Sequence, residues 1–291
     1  MMKKERLKLM AVSMIALLTA CTTADPVESK NQDDTVDVTF NVQADGWSVG
    51  VEPMRTRALT ADGKQMTDIW ILDYVGTELK QQLHQASTDD DFGSPTLSLT
   101  VGSHHIYFVA SRGQNPTLDT DAKTLTFTKV LDTFYKHLAL EVQPTTSSAQ
   151  AVSLSRIVTK LKLTFTDAIP TGAATFDVTP SQWHYGINYT TGQPTAATAS
   201  QAITANIPAS AIGSTGEVLN IFGFSGTDEW TTDVAIACKD GESNVLSTVA
   251  ITDAPFKCNR VTSYTGPLFS TNDALTLSLN TDWDTEYTAT W

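Results

Sequence analysis

V-S-L-S-R-I-V-T-K-L-K-L-T-F, residues 152–165, is the longest alternating run in the chain. Ile157, Thr159, Leu161, Leu163 and Phe165 fall on one face, and Arg156, Lys160, Lys162 and Thr164 on the other. Period two at this length marks a β-strand with one face in a core and the other in water. Working outward, the same rhythm recurs. Val36, Val38, Phe40 and Val42 alternate with Thr35, Asp37, Thr39 and Asn41, and 65–75 is strongly apolar. Further strands are expected around 97–101, 105–110, 125–127 and 138–142. Beyond the long run they are expected at 175–178, 183–189, 202–207, 217–224, 233–238, 245–251, 260–264 and 275–279. Polar turns punctuate them at 167–170, 192–194, 213–216 and 240–241. Short strands at such spacing predict an all-β fold built of sandwiches. Two weak helical patterns interrupt it, 77–86 with Leu79 and Leu83 four apart, and 131–136. The segment 144–150, P-T-T-S-S-A-Q, is the best interior linker signal, placing β-sandwich domains at 35–147 and 148–291.

The N-terminus reads differently. Lys3, Lys4, Arg6 and Lys8 lead into the apolar stretch L-M-A-V-S-M-I-A-L-L-T-A-C, residues 9–21. That stretch is too short to cross a bilayer, which takes about 20 residues. A basic start and a short apolar core define a secretory signal peptide, residues 1–20. Leu18-Thr19-Ala20-Cys21 resembles the bacterial lipobox, which makes Cys21 the acylated first residue of the mature chain. Two or three acyl chains anchor stably where one does not. The polar segment 21–34 then serves as a flexible tether.

The formal net charge is −13, and removing 1–20 takes away four cations and one anion, leaving −16. A body this acidic repels phosphate backbones, which argues against nucleic acid as a partner. Besides Cys21 there are two cysteines, Cys238 and Cys258. They form either a disulfide, permitted in an exported protein, or two free thiols behaving as small hydrophobes.

Chemistry-bearing motifs are scarce. His84, His104, His105, His137 and His184 form no H-E-x-x-H motif and no zinc-type cluster with cysteine. His104 and His105 begin a strand and read as an exposed or edge pair. Asp89-Asp90-Asp91 lacks calcium-loop spacing, and the chain has no phosphate loop or dinucleotide fingerprint. No catalytic residue, metal or cofactor is nominated, and the chain reads as a non-enzyme. Trp47, Trp70, Trp183, Trp230, Trp283 and Trp291 suggest a second reading, a surface glycan-binding lipoprotein with aromatic platforms.

The lipobox and the strand–loop–arginine–strand order of 35–75 accompany two longer stretches. These are L-S-R-I-V-T-K-L-K-L at 154–163 and P-F-K-C-N-R-V-T-S-Y-T-G-P-L-F at 255–269. Together they resemble the fimbrillin superfamily of Bacteroidetes type V pili over essentially the whole chain. The segment N-R-x-T-x-x-x-G-x-L-F at 259–269 is most like the anchor subunits at the fibre base. The resemblance implies two tandem transthyretin-like Greek-key β-sandwich domains, exported to the outer membrane and lipid-anchored on the cell surface. It implies other fimbrial subunits and membrane lipid as partners. In stalk and tip subunits of this family, cleavage after an arginine frees the first strand, and another subunit's strand replaces it. The matching positions here are Arg55 or Arg57, and the exchanged strand carries Val36, Val38, Phe40 and Val42. In an anchor both arginines stay uncut, because cleavage would part the body from its lipid. The short chain, ending at Trp291 soon after its last expected strand, favours the anchor over a stalk or tip subunit.

Overall fold

The computed structural model describes residues 34–44, 66–112, 116–199, 201–270 and 276–280. The first strands are β1 (Thr35–Ala44), β2 (Asp68–Val75), β3 (Glu78–Ala86), β4 (Thr96–Thr100) and β5 (Gly102–Ser111). They continue with β6 (Thr117–Asp119), β7 (Thr124–Thr126), β8 (Thr133–Val142) and β9 (Ala149–Arg156). Seven of these form one sheet in the order β3-β2-β5-β8-β9-β1-β4. β8 and β9 pair only through Phe134 with Arg156 and Tyr135 with Ser155. The sheet folds over at this narrow contact. Ile69, Ile71, Ile106 and Phe108 from one limb therefore share a core with Val38, Phe40, Leu97 and Leu99 from the other.

The remaining strands begin with β10 (Val158–Phe165), β11 (Ala173–Pro180), β12 (Gln182–Trp183), β13 (Gly186–Asn188), β14 (Gln193–Pro194) and β15 (Thr198–Ala199). After them come β16 (Ile203–Asn206), β17 (Glu217–Phe224), β18 (Trp230–Asp240), β19 (Val245–Phe256), β20 (Val261–Gly266) and β21 (Thr276–Asn280). Sheets β17-β10-β20-β21 and β16-β11-β18-β19 enclose a second core. Leu161, Leu163 and Phe165 enter it from β10, and Val234, Ile236 and Cys238 from β18. Two sheets face to face over alternating inward side chains make a β-sandwich.

A further small sheet, β14-β13-β7-β6, takes strands from both halves. Beneath it Trp70, Leu72, Tyr107 and Val109 meet Leu125, Ile187, Tyr189 and Phe224 in a third core. The Tyr74 and Tyr189 hydroxyls are 2.8 Å apart, and Lys123 Nζ donates to Tyr74 Oη at 3.0 Å. β2 is thus buried on both faces, which accounts for its near-continuous apolar run. The described strands all belong to one compact unit.

The run 152–165 proves to be two strands, with Ile157 between them. Val152, Leu154 and Arg156 point inward from β9, and Thr159, Leu161, Leu163 and Phe165 inward from β10. Inward parity changes from even to odd, and a one-residue slip exchanges the faces of a strand. Segment 144–150 accordingly joins β8 to β9 within one sheet, and the chain crosses between cores around Ile157. Arg156, expected on the wet face, is buried. Its Nε and Nη2 donate to the two Asp132 carboxylate oxygens at 2.7 and 3.0 Å, and Nη1 donates to Asn259 Oδ1 at 3.3 Å. The guanidinium also lies over the Phe134 ring at 4.8 Å. Asn259 has φ +55, a conformation that asparagine tolerates better than most residues.

Both expected helices are strands. Segment 77–86 contains β3, which pairs with β2 through a tight turn at Gly76, φ +59. Segment 131–136 contains the start of β8. In each case a neighbouring strand supplies a ladder that outweighs a weak local helical preference.

The turn after β20 hangs on Asp167. Its carboxylate accepts N–H bonds from Leu268, Phe269 and Ser270 at 2.6 to 3.1 Å. Burial alone would push its pKa up, but these backbone donors outweigh burial and hold it below the usual carboxylate range. A depressed carboxyl adds stability that is present above its unfolded pKa and lost as pH falls through the folded value. Asp167→Asn is expected to cost about 1.5–3 kcal/mol at pH 7. Urea unfolding should show the gap to wild type closing below about pH 4; an equal gap at pH 3 would contradict this account of the turn.

Candidate functional site

β1 lies inside the sheet, between two partners. Residues 35–39 pair antiparallel with β4, from Thr35 opposite Thr100 to Thr39 opposite Thr96. Residues 39–44 pair parallel with β9, from Thr39 beside Ala149 to Ala44 beside Leu154. The Phe40 and Val42 amides donate to Pro95 O and Gly93 O, each at 2.8 Å, and Thr39 N donates to Ser148 O at 2.8 Å. Val38, Phe40, Val42 and Ala44 are at most 3% exposed, and Val36 packs against the same core. The Phe40 ring meets Phe108 edge-on at 5.4 Å between centroids. On the wet face, Ser98 Oγ donates to Asp37 Oδ1 at 2.7 Å, and the hydroxyls of Thr39 and Thr96 lie 2.7 Å apart.

The second sandwich repeats this placement. β10 pairs antiparallel with β17 and parallel with β20, as β1 does with β4 and β9. The two stretches singled out in the sequence, 154–163 and 255–269, are therefore neighbours, with Lys160 beside Val261 and Phe165 beside Gly266.

Cys21, Arg55 and Arg57 lie outside the described residues. Cys238 and Cys258 are both free thiols, so the disulfide alternative is not realised in this structure. Hairpin register gives the reason. Trp230 pairs with Phe256, so Cys258 falls just beyond Trp230, eight residues along β18 from Cys238. At 3.3 Å per residue that is about 26 Å, against a bridgeable Cα separation of about 4.4–6.8 Å. Burial pushes the Cys238 thiol up to about 11, and the Cys258 Sγ donates to Arg156 O at 3.3 Å.

His104, expected at the surface or an edge, is buried with Asp73. Its Nδ1 is 2.7 Å from Asp73 Oδ1, and its Nε2 is 2.8 Å from the Thr100 carbonyl. The carbonyl assigns a proton to Nε2, so a further proton is shared between Nδ1 and the carboxyl. Inward parity with Ile106 and Phe108 on β5 was the sequence signal for this burial. His105 points the other way, its Nδ1 3.0 Å from His137 Nε2. Trp70 and Trp183 are buried and Trp230 packs on the second core, so these three are not sugar platforms. Trp47, Trp283 and Trp291 lie outside the described residues. Among the described residues no group of three or more His, Cys, Asp or Glu could hold a metal ion.

The overall fold is shared with solved Bacteroides structures. A candidate cell adhesion protein from Bacteroides ovatus ATCC 8483 superposes with TM-score 0.50 at 15% identity, covering 87% of this chain and 99% of that one. A candidate adhesin from the same organism gives 0.50 at 10% identity, covering 81% and 88%. A fimbrial assembly protein from Parabacteroides distasonis ATCC 8503 gives 0.44 at 10%, covering 84% and 95%. No curated protein matches the sequence. The family model that matches residues 104–291 is DUF6562, a family of unknown function, and the chain belongs to it.

Proposed function

We propose that this protein is a structural component of a cell-surface fimbria, the lipid-anchored base subunit held in the outer membrane through acylated Cys21. In this reading it joins neighbouring subunits by β-strand complementation and is not an enzyme. The observation that carries it is the placement of β1, an early strand with a ladder on both sides and its apolar face in the core. A strand so placed is what a complementation system fills or exchanges, because its absence exposes unpaired backbone groups beside an apolar groove. The fold shared with candidate adhesion proteins supports a surface role. The two sandwich domains of the proposal meet at Ile157, and tether 21–34 joins the first to the lipid.

The test is the N-terminus of the protein recovered from cells. An anchor is expected to begin at acylated Cys21, with 55–57 intact. Cys21→Ala should then move it out of the outer-membrane fraction and shed the fibres. An N-terminus at Thr56 or Ala58 would replace the anchor with the stalk or tip reading, matured by cleavage after Arg55 or Arg57. Retention of the Cys21→Ala protein in the membrane would remove the lipid anchor from the account.

A further inference from the structure

The two sandwiches differ at one sheet edge. In the second, Lys160 N donates to Arg260 O, so the even residues of β20 bond to β10. The backbone groups of Val261, Ser263 and Thr265 point to the opposite side. β21 covers that side, antiparallel, from Val261 opposite Asn280 to Thr265 opposite Thr276. In the first sandwich, Thr39 N donates to Ser148 O, so the even residues of β9 bond to β1. Ala149, Ala151 and Ser153 then stand where Val261, Ser263 and Thr265 stand in β20. Among the described residues no strand covers them, because β8 meets β9 only at Phe134 and Tyr135. The Ser147 hydroxyl donates to the Ala149 carbonyl at 3.1 Å, while Ala151 and Ser153 have no ladder partner on that side among the described residues.

An uncovered edge is a template for another strand unless charge, proline or a bulge blunts it. Here 147–155 reads S-S-A-Q-A-V-S-L-S, without charge or proline in a chain of net charge −13. Its ladder with β1 runs without a register shift. Beyond Tyr135, β8 leaves β9 and stays with β5, and its inward-facing Leu138 and Leu140 are only half-buried. The gap therefore offers backbone hydrogen bonds along β9 beside apolar side chains. The β8–β9 corner bounds one end and the turn at 143–148 the other. Between them there is room for a single strand of about five residues, about 17 Å long, and not for the edge of a second folded sheet. β21 shows what suits such a place, since its register sets Leu277 opposite buried Tyr264 and Leu279 opposite buried Thr262. We propose that the outer edge of β9 accepts one extended strand of another chain, antiparallel, with aliphatic residues at alternate positions. This surface is separate from the place of β1, which in the base-subunit reading stays filled by its own chain.

Fluorescence anisotropy tests this, with a labelled peptide of residues 274–280, A-L-T-L-S-L-N, titrated onto the full chain in detergent. The peptide is expected to bind, and a version with serine in place of Leu277 and Leu279 is expected not to. Ala151→Pro should weaken binding about tenfold, the effect of one lost hydrogen bond. Proline is tolerated there because the Ala151 amide points away from β1. Leu140→Ser, at a half-buried position, should weaken binding similarly and keeps the test sound should Ala151→Pro fail to fold. No binding of the peptide to the native chain would overturn the proposal. Binding that survives both variants would overturn it equally, because the peptide would then sit elsewhere. Self-association of the native chain in sedimentation, lost in Ala151→Pro and without peptide binding, would overturn it in favour of a second copy at this edge. The peptide result does not depend on Cys21, Arg55 or Arg57, so its failure is distinguishable from failure of the base-subunit reading.

Discussion

Phe40→Ala is expected to lower the unfolding free energy by about 3–5 kcal/mol, the range for truncating a fully buried aromatic. Phe40 is wholly buried, sits edge-on to Phe108, and lies on a strand that is not at a sheet edge. The surrounding ladder leaves little room to collapse onto the cavity. Thr39, one residue away on the wet face, should cost under about 1 kcal/mol when changed to Ala. Urea unfolding of the two variants separates these values. Equal losses would mean that β1 does not contribute to the core as described. The magnitude bears on function. Val38, Phe40 and Val42 are each worth about 1.5–3 kcal/mol by burial alone, so the three together carry about 4.5–9 kcal/mol against a typical net stability of about 5–15. A chain stripped of β1 would therefore lose a large part of its stability unless another strand took the same place.

The first strand was legible because its inward residues are apolar and its outward residues polar, without exception from Val36 to Val42. The junction at Ile157 was not, because the residues flanking the parity change include a buried arginine and a buried threonine. Arg156 is tolerable inside only because Asp132, 24 residues earlier, and Asn259, 103 residues later, converge on it. No local pattern encodes that convergence. β3 illustrates the opposite error, in which Leu79 and Leu83 satisfy a helical spacing and a strand spacing equally, and only the neighbouring β2 decides. The anchoring half of the proposed function rests on Cys21, Arg55 and Arg57, which are legible in sequence alone. The complementation half rests on the ladder around β1. Its parallel partner β9 was read as part of the second domain, because a linker-like composition at 144–150 masked a turn within one sheet.

The buried pair of Asp73 and His104 should show the other large effect. His104→Leu leaves the Asp73 carboxyl fully buried with neither oxygen partnered by histidine; Oδ2 already lacks a partner among the described residues. Breaking one side of a buried pair costs about 3–5 kcal/mol, whereas replacing both sides by apolar residues is often neutral or better. The double variant Asp73→Leu/His104→Leu is therefore expected to regain most of the loss. Acidity sharpens the comparison. Burial raises the Asp73 pKa, and the His104 hydrogen bond, the His104 charge and the Lys80 charge partly offset it. Without His104 the carboxyl rises further. A carboxyl raised in the folded state contributes stability that is full below its unfolded pKa, about 3.8, and lost as pH rises through the folded value. The deficit of His104→Leu against the double variant should thus be smallest near pH 4 and grow toward pH 7, the other acids cancelling in the difference. Urea unfolding at the two pH values decides it. A single variant within 1 kcal/mol of wild type at pH 7, or a deficit that does not shrink at pH 4, would show that the pair is not the buried, proton-sharing unit described.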